Sequence, residues 1–237
     1  MKLDLNCDLG EGEAPARTRA LMRWITSANI ACGGHAGDAR SMRTCVRLAK
    51  QSGVNIGAHP GPWNRADKGR NSVTISPDEL ELLLLQQVSA LEQIASSEGV
   101  RLHHIKLHGA LYHAAERDAK LARRYVRVVA RHWPKAIVYG FTRGHVLPAV
   151  AQAGLRGFAE GFADRAYRAD GRLVSRAATG AVLGDVRTAV TRVRDLLAGR
   201  GLMSMTGGRL PVRIDTLCVH SDSPHALPLV RVLARLL

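Results

Sequence analysis

The sequence predicts a single α/β domain over residues 1–237, with seven parallel strands closing into an irregular barrel. Three observations predict it. Short β-like apolar runs alternate with helix-period patterns along the whole chain; each run is followed by a helix or a long connection; and no linker, charge block or repeat divides the chain. Seven such units in one domain close most naturally as a relative of the eight-fold barrel. A doubly wound open sheet is the competing arrangement. With no Gly-x-Gly-x-x-Gly and no P-loop, neither a dinucleotide site nor an ATP site is signalled within this chain.

In chain order, strands are expected at 3–6, 28–31, 55–58, 105–107, 136–140, 157–161 and 214–219. Asp38 is placed to cap a helix running through Lys50, with Met42, Val46 and Ala49 facing inward. Ser76-Pro77-Asp78-Glu79 is a capping box with proline at the first helical position. Behind it Leu80, Leu83, Leu84, Val88, Leu91 and Ile94 keep one helical face until Gly99. Leu121, Tyr125, Val128 and Val129 mark the next helix, and Val186, Val190, Val193 and Leu197 another. Ser223-Pro224 opens the last.

Composition excludes several classes. The chain is 46% hydrophobic and 23% charged, as a globular protein is, and its start carries no long apolar run of the secretory kind. No unbroken apolar run exceeds four residues, as at Leu82 to Leu85, which is too short to span a bilayer. Cys7, Cys32, Cys45 and Cys218 show no Cys-x-x-Cys spacing, which argues against structural zinc and for reduced thiols in the cytoplasm. The formal charge is +14, and 28 of the 34 cations are arginine. Those cations are scattered along helices, only 4% of residues are aromatic, and no nucleic-acid-binding signature is present, so a solvated basic surface is the better reading.

The polar residues fall in a pattern. Six of the seven expected strands run into carboxylates, amides, imidazoles or an amine at their C-terminal ends. These are Asn6, Asp8 and Glu11; Asn29, His35 and Asp38; His59; Lys106 and His108; Glu160 and Asp164; and His220 and Asp222. In a parallel barrel that end is where catalytic side chains converge. Each residue also has a plainer reading. Asp8, Asp38 and Asp222 could cap helices, and Lys106 could form an internal ion pair with Asp4 or Glu160. Cys32 and Cys218 read as buried thiols, and His103, His104, His113, His132, His145 and His225 as structural or surface residues.

Taken together, the segments 4–12, 28–38, 57–61, 106–112, 160–174 and 218–222 resemble the LamB/YcsF family, the A-type subunits of 5-oxoprolinase. Six motifs in the family's order make the match specific. The departures are Lys106-Leu107-His108-Gly109 for the usual Lys-Pro-His-Gly, His220-Ser221-Asp222 for His-Gly-Asp, Gly34 in place of a bulkier residue, and a shortened loop after Gly61. The resemblance implies an irregular seven-stranded β/α barrel similar to polysaccharide deacetylases. It implies ATP-dependent opening of 5-oxo-L-proline (pyroglutamate) to L-glutamate, with ATP handled by the partner 5-oxoprolinase subunits B and C.

Within that scheme Asp8 and Glu11 are candidate general bases, and His220 or Asp222 a second proton-transfer or orienting group. Lys106 and His108 would hold substrate charge, while Asn6, Asn29, His35, His59, Glu160 and Asp164 complete the substrate contacts. The alternative is a metal-dependent hydrolase or deacetylase with Asp8, His35 and His59 as ligands; the spacing alone does not call for a resident metal.

Overall fold

The computed structural model describes residues 3–176 and 178–237. Seven strands form a closed barrel, every neighbouring pair parallel. In order around it they are β1 (Asp4–Leu9), β2 (Ser27–Ala31), β3 (Asn55–His59), β4 (His104–Ile105), β5 (Ile137–Phe141), β6 (Gly157–Phe162) and β9 (Thr216–His220), which returns to β1. The open-sheet arrangement is thereby excluded. A small antiparallel hairpin, β7 (Leu202–Met203) with β8 (Arg209–Leu210), interrupts the βα rhythm and has no counterpart in the sequence reading.

Among the described residues eight helices surround the barrel: α1 (Pro15–Met22), α2 (Ala39–Ser52), α3 (Pro77–Ser97), α4 (Gly109–Arg117), α5 (Ala119–His132), α6 (Val146–Gln152), α7 (Val186–Leu197) and α8 (Ala226–Leu236). The local signals explain their ends. Asp38 accepts from Ser41 N at 2.7 Å while Ser41 Oγ accepts from Asp38 N at 2.8 Å, and α2 stops at Gly53 in the left-handed region. Ser76 and Glu79 close the same reciprocal box at the start of α3. The α7 stripe is offset by one residue from the reading above: Leu196 is buried and Leu197 exposed. α8 begins three residues after Ser223, with no side-chain cap from Asp222. No helix among the described residues is long and apolar enough to cross a membrane.

Strand alternation sorts the barrel into two faces. Leu5, Cys7 and Leu9 of β1 join Ala28, Ile30, Ile56, Ala58, Ile105, Leu217 and Val219 in the apolar core packed against the helices. The intervening residues meet one another across the inside. At the bottom Tyr139 Oη donates to Asp4 at 3.0 Å, and Thr216 Oγ1 also reaches Asp4. One layer up, Asn29 Nδ2 donates to Asn6 Oδ1 at 2.7 Å, and Asn29 Oδ1 faces His104 Nε2 at 2.7 Å. Gly57 makes that last contact feasible, because a Cβ there would stand 1.9 Å from His104 Nε2. The interior of this barrel is polar in successive layers rather than filled by branched aliphatics.

Candidate functional site

The upper interior layer is charged. Lys106, just beyond β4, places Nζ 2.8 Å from Asp8 Oδ1, 3.0 Å from Glu160 Oε1 and 3.1 Å from Cys218 Sγ. Burial disfavours its cation, but Asp8 and Glu160 outweigh that and hold its pKa well above the ordinary range. Burial likewise raises Asp8, and His59 and Lys106 overcome it, leaving this carboxyl well below the usual range. Burial pushes the Cys218 thiol up, so it stays protonated beside the amine. Of the two internal partners read for Lys106, Glu160 is the real one. Asp4 lies at the barrel floor, bonded to Thr26, Ser27, Tyr139 and Thr216.

Above Asp8, loops carry a compact imidazole cluster. Glu11, His35, His59 and His108 offer four ligand atoms that all lie within 4.8 Å of one another, and all four residues are buried. Glu11 Oε1 is 3.2 Å from His35 Nε2, 3.2 Å from His108 Nδ1 and 3.9 Å from His59 Nε2. The rings of His35 and His108 stack at 3.5 Å. Glycine allows this density, since a Cβ at Gly61 would come 2.3 Å from His35 Nδ1. Burial raises the Glu11 carboxyl, and hydrogen bonds from His108 and His35 bring it well below its ordinary range. Burial drives His35 down to about 4, so it is neutral at pH 7.

The proton inventory of this cluster is informative. His59 Nδ1 lies 2.8 Å from the carbonyl of Lys106, and His108 Nε2 lies 2.8 Å from the carbonyl of Lys68. A carbonyl only accepts, so each of these outer nitrogens carries the hydrogen. The inner nitrogens face each other at 2.9 Å with the Glu11 carboxylate beside them, so a hydrogen bond among these three needs a proton beyond the one on each outer nitrogen. Either a shared proton or a metal ion between them would satisfy all three groups. Metal-binding histidines carry this same outer-nitrogen-to-carbonyl bond, and the carboxylate and imidazole donor set suits a divalent transition ion. The geometry groups a different set from the alternative ligands read from sequence: Glu11 rather than Asp8 lies with His35 and His59, and His108 joins them. Asp8, 3.4 Å from His59, is committed to Lys106 and Asn29.

Opposite the cluster, β9 ends in His220, whose Nδ1 meets both oxygens of Asp164 at 3.0 and 3.1 Å. Asp164 also accepts from His220 N at 3.2 Å. Burial raises Asp164, and His220 reverses this and holds it below the ordinary range. His220, Cys218 and Asp8 bring ligand-type atoms within 4.8 Å of one another. Asp164 therefore fixes the ring of His220 through Nδ1.

Ten of the twelve sequence-predicted site residues share this interior: Asn6, Asp8, Glu11, Asn29, His35, His59, Lys106, His108, Glu160 and Asp164 are all buried. His220 stands half-buried at its edge, and Asp222 lies apart on the rim, clamped by Arg70 at 2.6 Å and by Arg176 at 2.9 and 3.1 Å. Burial raises Asp222, and Arg176 and Arg70 bring it to about 2. Asn6 and Asn29 are fully enclosed, with their amides spent on each other, Glu160, Thr216, Asp8 and His104. Sequence reasoning missed the arginines at the barrel mouth, Arg70, Arg165 and Arg176, and the shared lining that joins them to the site. The run of arginines over 165–176 was the available signal.

The model of the LamB/YcsF family matches residues 3–237. Among solved structures, the lactam utilization protein of Thermus thermophilus is similar at 36% identity and a TM-score of 0.90, covering 99% of this chain and 95% of that one. A protein of Enterococcus faecalis proposed to cleave cellobiose phosphate shares the fold at 13% identity and a TM-score of 0.54, over 98% of this chain and 90% of that one. With the family model spanning nearly every residue and the barrel matched end to end, the chain belongs to the LamB/YcsF family.

Proposed function

We propose that this chain is the ring-opening component of an ATP-dependent 5-oxoprolinase, hydrolysing 5-oxo-L-proline to L-glutamate with partner subunits B and C that handle ATP. The observation that carries the reading is the His220–Asp164 pair facing the Asp8–Lys106 ion pair at the barrel mouth, in a chain 36% identical to a lactam utilization protein. A lactam carbonyl is a poor electrophile, so the ring needs activation before water can add, and phosphorylation of its oxygen by the partners supplies it. Asp8 and Glu11 are held too low in pKa to take a proton efficiently near neutrality. His220 is the better base. It takes the proton from the attacking water and passes it to the ring nitrogen; the tetrahedral hydroxyl then gives up its proton to that nitrogen as the carbon–nitrogen bond breaks, leaving the acyl phosphate of glutamate, which a second water hydrolyses to L-glutamate and inorganic phosphate. Asp164 acts through His220 as a positioning residue. Four buried, unpaired thiols fit a reducing, cytoplasmic setting.

The acceptor cluster favours a second element of the reading. Glu11, His35, His59 and His108 would hold a divalent ion, whose chemistry there is Lewis-acid polarisation of the ring carbonyl. A metal-dependent amide hydrolase or deacetylase independent of ATP is the alternative this cluster keeps open. The test is reconstitution with the partner subunits and an assay of glutamate formed from 5-oxoproline. Glutamate should require this chain, its partners and ATP. His220→Asn should cost at least about 100-fold in kcat, and Asp164→Asn should lower kcat with little change in KM while displacing the acid limb of the pH profile. Turnover unaffected by omitting ATP would replace the oxoprolinase reading with the metal-hydrolase one.

A further inference from the structure

Over the C-terminal ends of β5 and β6 lies a cavity of about 420 Å³, within the range of small-ligand pockets. Among the described residues its lining carries seven arginines and one carboxylate, Glu116. That carboxylate pairs with none of them among the described residues: its two oxygens accept from the backbone N–H groups of Phe141 at 2.7 Å and Val146 at 3.2 Å. Arg70 and Arg176 pair with Asp222 on the rim, and Arg168 with Asp170. Arg117, Arg143 and Arg172 have no carboxylate within 4 Å among the described residues. Arg165, 5% exposed, is bonded to the carbonyls of Val174 at 2.7 Å and Ala181 at 3.3 Å. Burial and Arg176 lower its pKa, and burial with Arg117 and Arg165 drives the adjacent His113 to about 4. Arg117, Arg143, Arg168 and Arg172 are exposed around the opening, and so much positive charge about one cavity makes a field that attracts an anion.

The cavity also connects to the chemistry. Gly109, Tyr112, His113, Arg165 and Leu173 line both it and the smaller pocket that reaches Asp8, His59, Lys106 and His108. We propose that the arginine cavity is a phosphoryl-binding site, seating the oxyanion of a small phosphorylated substrate whose reacting end extends into the Asp8–His59 pocket. Guanidinium groups bind such an oxyanion through paired N–H donors, which a single lysine does not offer. Lys106 is spent on Asp8 and Glu160, so anion recognition falls to the arginines. The inference deepens the oxoprolinase reading, resting on it only for which molecule carries the phosphoryl group.

The experiment is calorimetric titration of the full chain, without partners, with inorganic phosphate and separately with ADP and ATP in low-salt chloride buffer. Phosphate should bind saturably at one site and raise the melting temperature. The Arg143→Ala/Arg172→Ala double variant should weaken it at least tenfold, while Arg47→Ala, which removes only a surface pair with Glu98, should leave it unchanged. If the double variant fails to fold, Arg143→Gln and Arg172→Gln measured singly carry the same comparison. Nucleotide binding no tighter than phosphate identifies a small phosphorylated metabolite as the source. Tighter nucleotide binding lost in the same variants identifies the nucleotide. No binding, or binding indifferent to these arginines, overturns the proposal. Phosphate binding without lactam turnover in the reconstituted assay would instead count against the oxoprolinase reading and leave the cavity standing.

Discussion

Replacing Lys106 with methionine keeps the length of the side chain and removes the cation that Asp8 and Glu160 share at 2.8 and 3.0 Å. What remains is two carboxylates in a layer where Lys106 and Glu160 are 3% and 0% exposed. Asp8 would retain the amide of Asn29 at 2.7 Å, and Glu160 the amide of Asn6 at 3.2 Å, but neither amide supplies charge. Breaking a buried pair from one side costs about 3–5 kcal/mol, because the partner is left charged and desolvated. For 237 residues at about 2.1 cal/mol/K each, the unfolding entropy is about 0.5 kcal/mol/K, so Lys106→Met should melt about 6–10 °C lower. Adding Glu160→Gln removes one stranded charge and should recover a substantial part of the loss. Thermal unfolding followed by circular dichroism measures both. A single variant melting within about 2 °C of the wild type, or a double variant no more stable than the single, would show that the ion pair is not what holds this layer.

Two further predictions concern protons and metal. The dialysed protein should take up one zinc or cobalt ion per chain. Glu11→Gln and His108→Gln should each weaken that uptake at least about tenfold, and Asp222→Asn should not; no stoichiometric uptake would mean that a shared proton fills the gap between His59 and His108. Glu116 is raised by burial from 4.5 to about 7, so between those values the folded chain holds a proton that the unfolded chain has lost. Its contribution to stability is therefore present at low pH and falls as pH rises through that window, by about 3 kcal/mol in all. Urea unfolding at pH 5 and pH 7 should show this fall in the wild type and a smaller one in Glu116→Gln; equal slopes would refute it.

The barrel is legible because seven apolar runs each feed a connection, and the two helices with full capping boxes, α2 and α3, begin where their sequences say. The strand ends are less legible. The apolar pattern ends β1 at Asn6, yet the strand continues to Leu9, because Asp8 alternates inward in register with Asn29 and His220. A polar residue in a strand reads as the strand's end when the barrel interior is taken to be apolar, and here it is not. The polar strand ends foretell a convergence, but not the depth or the pairing of its members. Nothing in the spacing of Asp8, Glu11 and His59 says which carboxylate meets the imidazoles; that depends on the turn at Gly10 to Gly12. The departure at Gly34 acquires a reason in three dimensions. A Cβ there would lie 2.5 Å from Gln87 Nε2, and Gln87 uses that space to bond both the N–H and the carbonyl of Gly61 beneath the histidines.

The net charge of +14 conceals an internal division that bears on how the site works. Asp4, Asp8, Glu11, Glu160 and Asp164 occupy the barrel interior, answered by one lysine and several imidazoles, while the arginines collect outside and above it. An anion approaching from solvent therefore meets attraction at the mouth and carboxylates beyond it. Such a gradient favours a ligand with its charge at one end and a neutral, polarisable group at the other. On the proposed reading, an O-phosphorylated lactam would set its phosphoryl group among the arginines and the carbon bonded to that oxygen just inside them, toward His220. A free dianion would be held at the mouth and kept from Asp8, which separates binding of the charged handle from chemistry at the ring. The same division explains why one rim residue matters beyond its exposure. Asp222 ties Arg70 to Arg176, so it tempers the mouth's positive field and fixes two of the guanidinium groups that an incoming phosphoryl group meets first.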